Sequence, residues 1–371
     1  MTTSSLDAVV AASKVVVCCG SGGVGKTTTA AVLALQAARS GRRVVVVTID
    51  PARRLADALG LRNGLSSEPQ QIDLGADEGD GTSTGELWAM MLDTAATFDG
   101  LVRRHADDAE QVERILTNGF YRNMASAMSG TQEYMAAETL HALHGDDRFD
   151  LGIVDTPPSR NALDFLDAPG VLTRFLDHRV FKLAMLPTKG GRKLFGTAAQ
   201  PIFKACGRVV GSDGLADSLA FFQAFSGMET GFRDRADDVV ALLRADETNF
   251  VVVASPRHDT ITEAVWFAEQ LRTQQVGVAA AIINRVQPAF GDDVDGVASP
   301  DHGLAEVDVE QALAPLVTNL VELGAIRRAE LEALSPLVAL VEPEPVATVP
   351  LLDRDVHDVA TLDVIGAHLF D

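Results

Sequence analysis

Eight consecutive residues, Gly20-Ser21-Gly22-Gly23-Val24-Gly25-Lys26-Thr27, have the types and spacing to bind a chain of phosphates. The glycines let the backbone turn sharply, so that successive N–H groups converge on anionic oxygens. Lys26 supplies a compact positive charge for the terminal phosphates, and the Thr27 hydroxyl is a ligand for Mg²⁺. Such a stretch works only between a strand that aims it and a helix whose positive end faces the anion. Both are legible here: the apolar run 14–19 precedes it, and 27–39, beginning Thr27-Thr28-Thr29-Ala30-Ala31, has the composition of a helix. This context separates the motif from a tight turn that binds nothing. The backbone groups from Gly20 to Thr28 are therefore the expected nucleotide contacts, with Lys26 catalytic and Thr27 on the metal.

Two carboxylates stand where strands should end. Asp50 follows the run 43–48 (Arg-Val-Val-Val-Val-Thr), and Asp155 follows 149–154 (Phe-Asp-Leu-Gly-Ile-Val). An acid at the carboxyl end of a strand beside the phosphate loop can orient an attacking water, the role expected of Asp50. The other can serve the metal directly or through its ligands, the role expected of Asp155. Each could instead cap a helix, since Asp is favoured there on structural grounds alone. Their joint occurrence with the phosphate loop favours chemistry.

The elements that would hold these groups alternate. Candidate strands fall at 14–19, 43–48, 86–91, 149–154, 250–254, 278–283 and 346–350, and helices at 27–39, 101–116, 133–144, 261–274 and 306–333. Most strands are unbroken apolar runs, as in a parallel sheet covered on both faces. The expected fold class is α/β, doubly wound, with a mostly parallel sheet. Residues 62–85 and 287–305, rich in Gly, Ser and Asp, are expected to be surface loops.

Nearly a hundred residues separate strand 149–154 from strand 250–254, far more than one crossover helix needs. We expect an α-helical subdomain there at 161–244, inserted into a nucleotide-binding domain formed by 1–160 and 245–371. The stretch holds nine of the sixteen phenylalanines: 165, 175, 181, 195, 203, 221, 222, 225 and 232. It also holds eight Lys/Arg against one acid between Arg174 and Arg208. The phenylalanines either form the core of this subdomain, as helix stripes do by default, or line an apolar groove framed by cations.

Composition narrows the remaining possibilities. A formal charge of −21 would be repelled by a phosphate backbone, so nucleic acid is not an expected partner. No apolar run is long enough to span a bilayer, the start lacks a secretory pattern, and three cysteines cannot build a disulfide framework. A cytoplasmic protein, at most peripheral to a membrane, is expected.

Together, Gly22-Gly23-Val24-Gly25-Lys26-Thr27, Asp50-Pro51-Ala52 and Asp155-Thr156-Pro157-Pro158 resemble the ATPases with a deviant Walker A loop. The segments Asp50 to Leu59 and Asp155 to Pro169, Asn284, and Val349-Pro350-Leu351-Leu352 are most similar to the arsenite-pump and tail-anchored-protein-targeting branch. The resemblance spans almost the whole chain. It implies ATP and Mg²⁺ as cofactors, a nucleotide-sandwich dimer, Asp50 in a first switch and Asp155 in a second. It also implies Asn284 reading adenine and the loop around Pro350 closing over the base, while the phenylalanines and cations of the insertion point to a membrane protein or hydrophobic client engaged through 165–235. Asn284-Arg285-Val286-Gln287 is not the guanine-reading Asn-Lys-x-Asp motif, so ATP is favoured over GTP.

Two departures qualify the resemblance. The family's second loop lysine, which reaches the partner's nucleotide, would fall at Ser21, and a hydroxyl cannot supply that charge. The chain is then either one half of a heterodimer with a lysine-bearing paralogue, binding ATP but scarcely hydrolysing it alone, or it uses another cation in a dimer: Arg53, Arg54 or Arg160. Loss of one such cation costs on the order of 10³-fold in rate. The paired cysteines that bind zinc in targeting factors, and the clusters that bind trivalent arsenic, are also missing; only Cys18, Cys19 and Cys206 are present.

Overall fold

The computed structural model describes residues 5–50, 53–74, 85–122, 131–157, 220–290 and 306–370, together with 165–167, 170, 173, 177, 217 and 218. The elements run α1 Leu6–Ala12, β1 Val15–Cys19, α2 Lys26–Arg39, β2 Arg43–Thr48, α3 Arg54–Ala58, β3 Gln70–Ile72, β4 Glu86–Met91, α4 Thr94–His105 and α5 Ala109–Leu116. They continue α6 Thr131–His144, β5 Leu151–Asp155, α7 Glu229–Leu243, β6 Thr248–Ala254, α8 His258–Thr273 and β7 Val278–Val286. The described chain closes with α9 Glu306–Ala333, α10 Ser335–Val341, β8 Val346–Pro350 and α11 Val359–Phe370.

The strands form one eight-stranded sheet in the order β3-β4-β2-β5-β1-β6-β7-β8. Every pair is parallel except β3 with β4. Alternate residues of the unbroken valine runs feed different cores. Val16, Cys18, Val44 and Val46 pack into the cluster that holds α2, while Val15, Val17 and Cys19 enter one on the opposite face and Val45 and Val47 a further one. Both faces are thus dry, which is why these strands carry no polar alternation. Helix α2 lies within the first of these clusters. Its Ala30, Ala31, Val32, Leu33, Ala34 and Leu35 are all fully buried, so this stretch is apolar around its circumference.

A separate apolar layer joins α4, α5, α6 and α7. Phe98, Leu101, Ile115, Tyr121, Tyr134 and Met135 pack there with Phe221, Phe225 and Phe232. Four of the described phenylalanines of the long insertion (Phe165, Phe221, Phe225 and Phe232) are buried and Phe222 is partly so, which makes them core. Phenylalanines 175, 181, 195 and 203, and most of the basic stretch 174–208, lie outside the described residues. In the same layer Arg235 grips the buried Glu138 with three hydrogen bonds of 2.9, 2.8 and 2.7 Å.

Two expectations are corrected. Residues 101–116 are not one helix: the chain breaks after His105, and Asp108 restarts it by accepting from the Gln111 N–H at 2.7 Å. The apolar period runs on across the break, which hides the cap in the sequence. Residues 62–85 are not wholly loop, because Gln70–Ile72 forms a short antiparallel edge strand on β4. Residues 75–84 and 291–305 lie outside the described residues.

Candidate functional site

The strand order sets β2, β5, β1, β6 and β7 side by side, so their carboxyl ends share one rim of the sheet. The loop 20–25 leaves β1 at this rim and enters α2, whose first residues are Lys26 and Thr27. Two of its glycines are required by geometry. At Gly20 (φ +149°) a methyl group would collide with the Val253 carbonyl of β6. At Gly25 (φ +97°), which caps α2 in the left-handed conformation, it would collide with the Asn284 amide. The loop is therefore pressed against two neighbouring strand ends.

Asp155 ends β5 between β1 and β2 and is 1% exposed. Its Oδ2 accepts from the Thr27 hydroxyl at 2.7 Å and from the Thr48 hydroxyl at 2.9 Å. Its Oδ1 is buried with no hydrogen-bond partner among the described residues. Burial raises the Asp155 carboxyl above its ordinary value and the charge of Asp50 adds to this, against the two hydroxyls and Lys26. The next residue, Thr156, ties β5 to β1 by donating to the Cys18 carbonyl at 2.8 Å.

Lys26 is 6% exposed and donates to the Ser21 carbonyl at 2.8 Å, bending back along its own loop. Burial lowers its pKa, opposed chiefly by Asp155. A buried ammonium facing a dipolar loop, with a half-satisfied carboxylate nearby, is an arrangement that polyanionic oxygens plus a divalent cation would complete. Thr27 and Asp155 offer a hydroxyl and a carboxylate oxygen, a donor set that fits Mg²⁺, which takes few protein ligands when phosphates share it.

Asp50 lies just beyond β2, its N–H 3.2 Å from the Thr48 hydroxyl and its carboxylate 3.5 Å from Arg54. Residues 51 and 52 lie outside the described residues. Arg53, with φ +58°, turns away and donates to the Arg62 carbonyl at 2.9 Å. Arg160 lies outside the described residues.

On the other flank, Asn284 Nδ2 donates to the Val24 carbonyl at 3.0 Å, and Arg285 donates to the Gly23 carbonyl at 3.1 Å. Pro350 is paired with Val286 at the end of β8, one strand further out. The structure thus gathers Lys26, Thr27, Asp155 and Asn284 around the loop, with Asp50 and Pro350 at its margins. Two residues beside this loop carry no signal of their own in the sequence: Thr48, a polar end to a valine strand, and Arg285, which follows Asn284.

Cys18 and Cys19 lie under the site, fully buried in β1. Burial holds both thiols well above their ordinary value, Cys19 at about 12. Neither offers a thiolate near neutral pH.

Comparison with known proteins agrees with this geometry. The sequence model of the anion-transporting ATPases matches residues 13–298. The ATPase GET3 of Ajellomyces dermatitidis is 29% identical over 255 residues, covering 68% of this chain and 67% of its own. The ATPase get3 of Aspergillus terreus is 27% identical over 270 residues, 70% of each chain. The ATPase GET3 of Paracoccidioides lutzii is 28% identical over 255 residues, with 68% of this chain and 67% of its own covered.

Proposed function

We propose, from the premise that this chain belongs to the anion-transporting ATPase family, that it is a two-chain switch coupling ATP hydrolysis to a membrane protein or hydrophobic client. The observation that carries the reading is Asp155: one oxygen held by Thr27 and Thr48, the other buried without a partner among the described residues, at the foot of the phosphate loop.

In this mechanism the N–H groups of the loop and the first turn of α2 bind the β- and γ-phosphates, and Lys26 leaves the Ser21 carbonyl to neutralise them. Thr27 and Asp155 would hold Mg²⁺, which would supply charge neutralisation for the phosphates. Asp50, its carboxylate 3.5 Å from Arg54, orients the attacking water and accepts its proton. Asn284 commits its Nδ2 to the loop and so turns Oδ1 outward, an acceptor suited to the 6-amino group of adenine and not to the carbonyl of guanine. Pro350 would lie against the base.

The helical layer is the transmitting part of this proposal, with 161–244 as its inserted subdomain and 1–160 plus 245–371 as the nucleotide-binding domain. A client or membrane partner would be met through 165–235, at the periphery of a membrane and from the cytoplasm. No helix among the described residues is long and apolar enough to cross one. Trivalent arsenic finds no thiolate in Cys18 or Cys19. Ser21 favours a second reading, in which a lysine-bearing paralogue completes the site and this chain turns over slowly alone.

Phosphate release from MgATP by the purified chain, alone and after Lys26→Ala or Asp50→Asn, tests the reading. Lys26→Ala should abolish nucleotide binding; Asp50→Asn should preserve it and lower kcat by about 10²-fold or more. A chain that binds no adenine nucleotide with Mg²⁺ present refutes the site. One that binds but hydrolyses only when a paralogue is added supports the heterodimer.

A further inference from the structure

The end of β7 contains an irregularity that brings two side chains onto the phosphate loop. Pairing with β8 passes from Asn284↔Val349 to Val286↔Pro350, so Arg285 is an extra residue in the ladder. Its φ is +65°, a conformation that glycine and asparagine adopt readily and arginine does not. Bulges of this type re-aim side chains at the rims of sheets. Here two consecutive residues that would point to opposite faces of a regular strand both reach the same loop. Asn284 takes the Val24 carbonyl and Arg285 the Gly23 carbonyl, at 3.0 and 3.1 Å.

Which carbonyls are taken matters, because a peptide unit is planar and trans. Its C=O and N–H point in opposite directions, so fixing one fixes the other. Holding the Gly23 carbonyl outward sets the Val24 N–H inward, and holding the Val24 carbonyl does the same for the Gly25 N–H. These two amides close the loop, just before the first turn of α2. A loop of glycines has many alternative peptide orientations, and freezing them is an entropic cost that binding must otherwise meet.

We infer that Arg285 is a positioning residue for nucleotide binding: with Asn284 it straps the outer face of the phosphate loop and so presets the Val24 and Gly25 amides for phosphate oxygens. The inference rests on the nucleotide-site reading above and assigns Arg285 no contact with the base. Ser21, which lacks the family's lysine, leaves the loop with Lys26 as its one internal cation, and the Arg285 guanidinium adds a second positive charge from outside.

The test compares Arg285→Asn, Arg285→Lys and the unmutated full-length chain by calorimetric titration with MgADP and, separately, with adenosine. Asparagine tolerates the left-handed backbone but cannot reach Gly23; lysine restores a long cationic donor. The expected result is an MgADP affinity lowered about ten-fold in Arg285→Asn, partly recovered in Arg285→Lys, with adenosine affinity the same in all three. Equal losses for MgADP and adenosine would mean a general disturbance of the pocket and would overturn the strap, as would MgADP binding unchanged in Arg285→Asn. If the unmutated chain itself bound no MgADP, the nucleotide reading would fall and the strap with it. Melting temperatures of the three chains identify any variant that has failed to fold, and Arg285→Gln then takes the place of Arg285→Asn.

Discussion

Asp155 is held against its own chemistry. A desolvated carboxylate with one idle oxygen is costly to the folded chain, yet that oxygen is the feature a divalent ion requires. An acid whose pKa is raised on folding binds its proton more tightly in the folded state. Stability then falls as pH climbs from the ordinary value of 3.8 through the raised one. Lys26 has the opposite shift, so its contribution improves with pH between its lowered value and 10.5. Asp155→Asn retains an acceptor for Thr27 and Thr48 while removing the charge. In metal-free buffer it should stabilise the protein by about 1 kcal/mol and flatten the loss of stability above pH 4. The same variant should lose Mg²⁺-dependent phosphate release by about 10²-fold or more. Urea midpoints across pH and a phosphate-release assay measure the two effects, and a variant less stable than the parent at pH 7 would contradict the account. The loop and both acids were legible in sequence because phosphate binding demands contiguous residues in fixed order. Thr48 and Arg285 were not, since their roles arise only when strands distant in sequence are laid side by side.

At the scale of elements, the strands were legible for a reason visible in their burial. Each central strand is dry on both faces, so its sequence is a largely apolar run without polar alternation. Gln70–Ile72 carried no such signal, being three residues at an edge, two of them glutamine. The helical layer is held by a buried polar contact as well as by its aromatic residues. Glu138 is nearly fully buried and its partner Arg235 largely so, with Arg104 3.3 Å away on the same carboxylate. Removing one member of a buried pair leaves the other's charge uncompensated. Glu138→Ala should therefore destabilise the protein by about 3 kcal/mol in chemical denaturation. Glu138→Gln, which keeps an acceptor, should cost less. If both prove neutral, the pair is solvated and α6 and α7 are held by their aromatic contacts alone.

For the whole molecule, charge sets the conditions of assembly. Two copies at −21 repel before they meet, so the proposed dimer must overcome a long-range penalty. Screening shortens the reach of that repulsion from about 30 Å in 10 mM salt to about 8 Å at physiological ionic strength. Association of the MgADP–aluminium fluoride-bound chain, followed by light scattering, should strengthen over that range. A dimer that weakens with salt would instead be held by opposite charges across its interface. The fold class was legible from the alternation of strands and helices, but the order of strands was not. Nothing local in Leu151–Asp155 says that it inserts between Val15–Cys19 and Arg43–Thr48, yet that insertion brings Asp155 to Thr27 and Thr48.

Helix α2, enclosed on every side, also dictates where movement can originate. Lys26 and Thr27 stand on its first turn, and a rod wedged between sheet and neighbouring helix cannot slide or tilt without opening a void in the centre of the protein. Under the proposed mechanism, loss of the γ-phosphate would be announced by the segments that follow Thr48 and Asp155, with α2 as the stationary anvil against which they are read. Deuterium uptake along Ala30–Leu35 should accordingly be the slowest in the chain and indifferent to which nucleotide is bound.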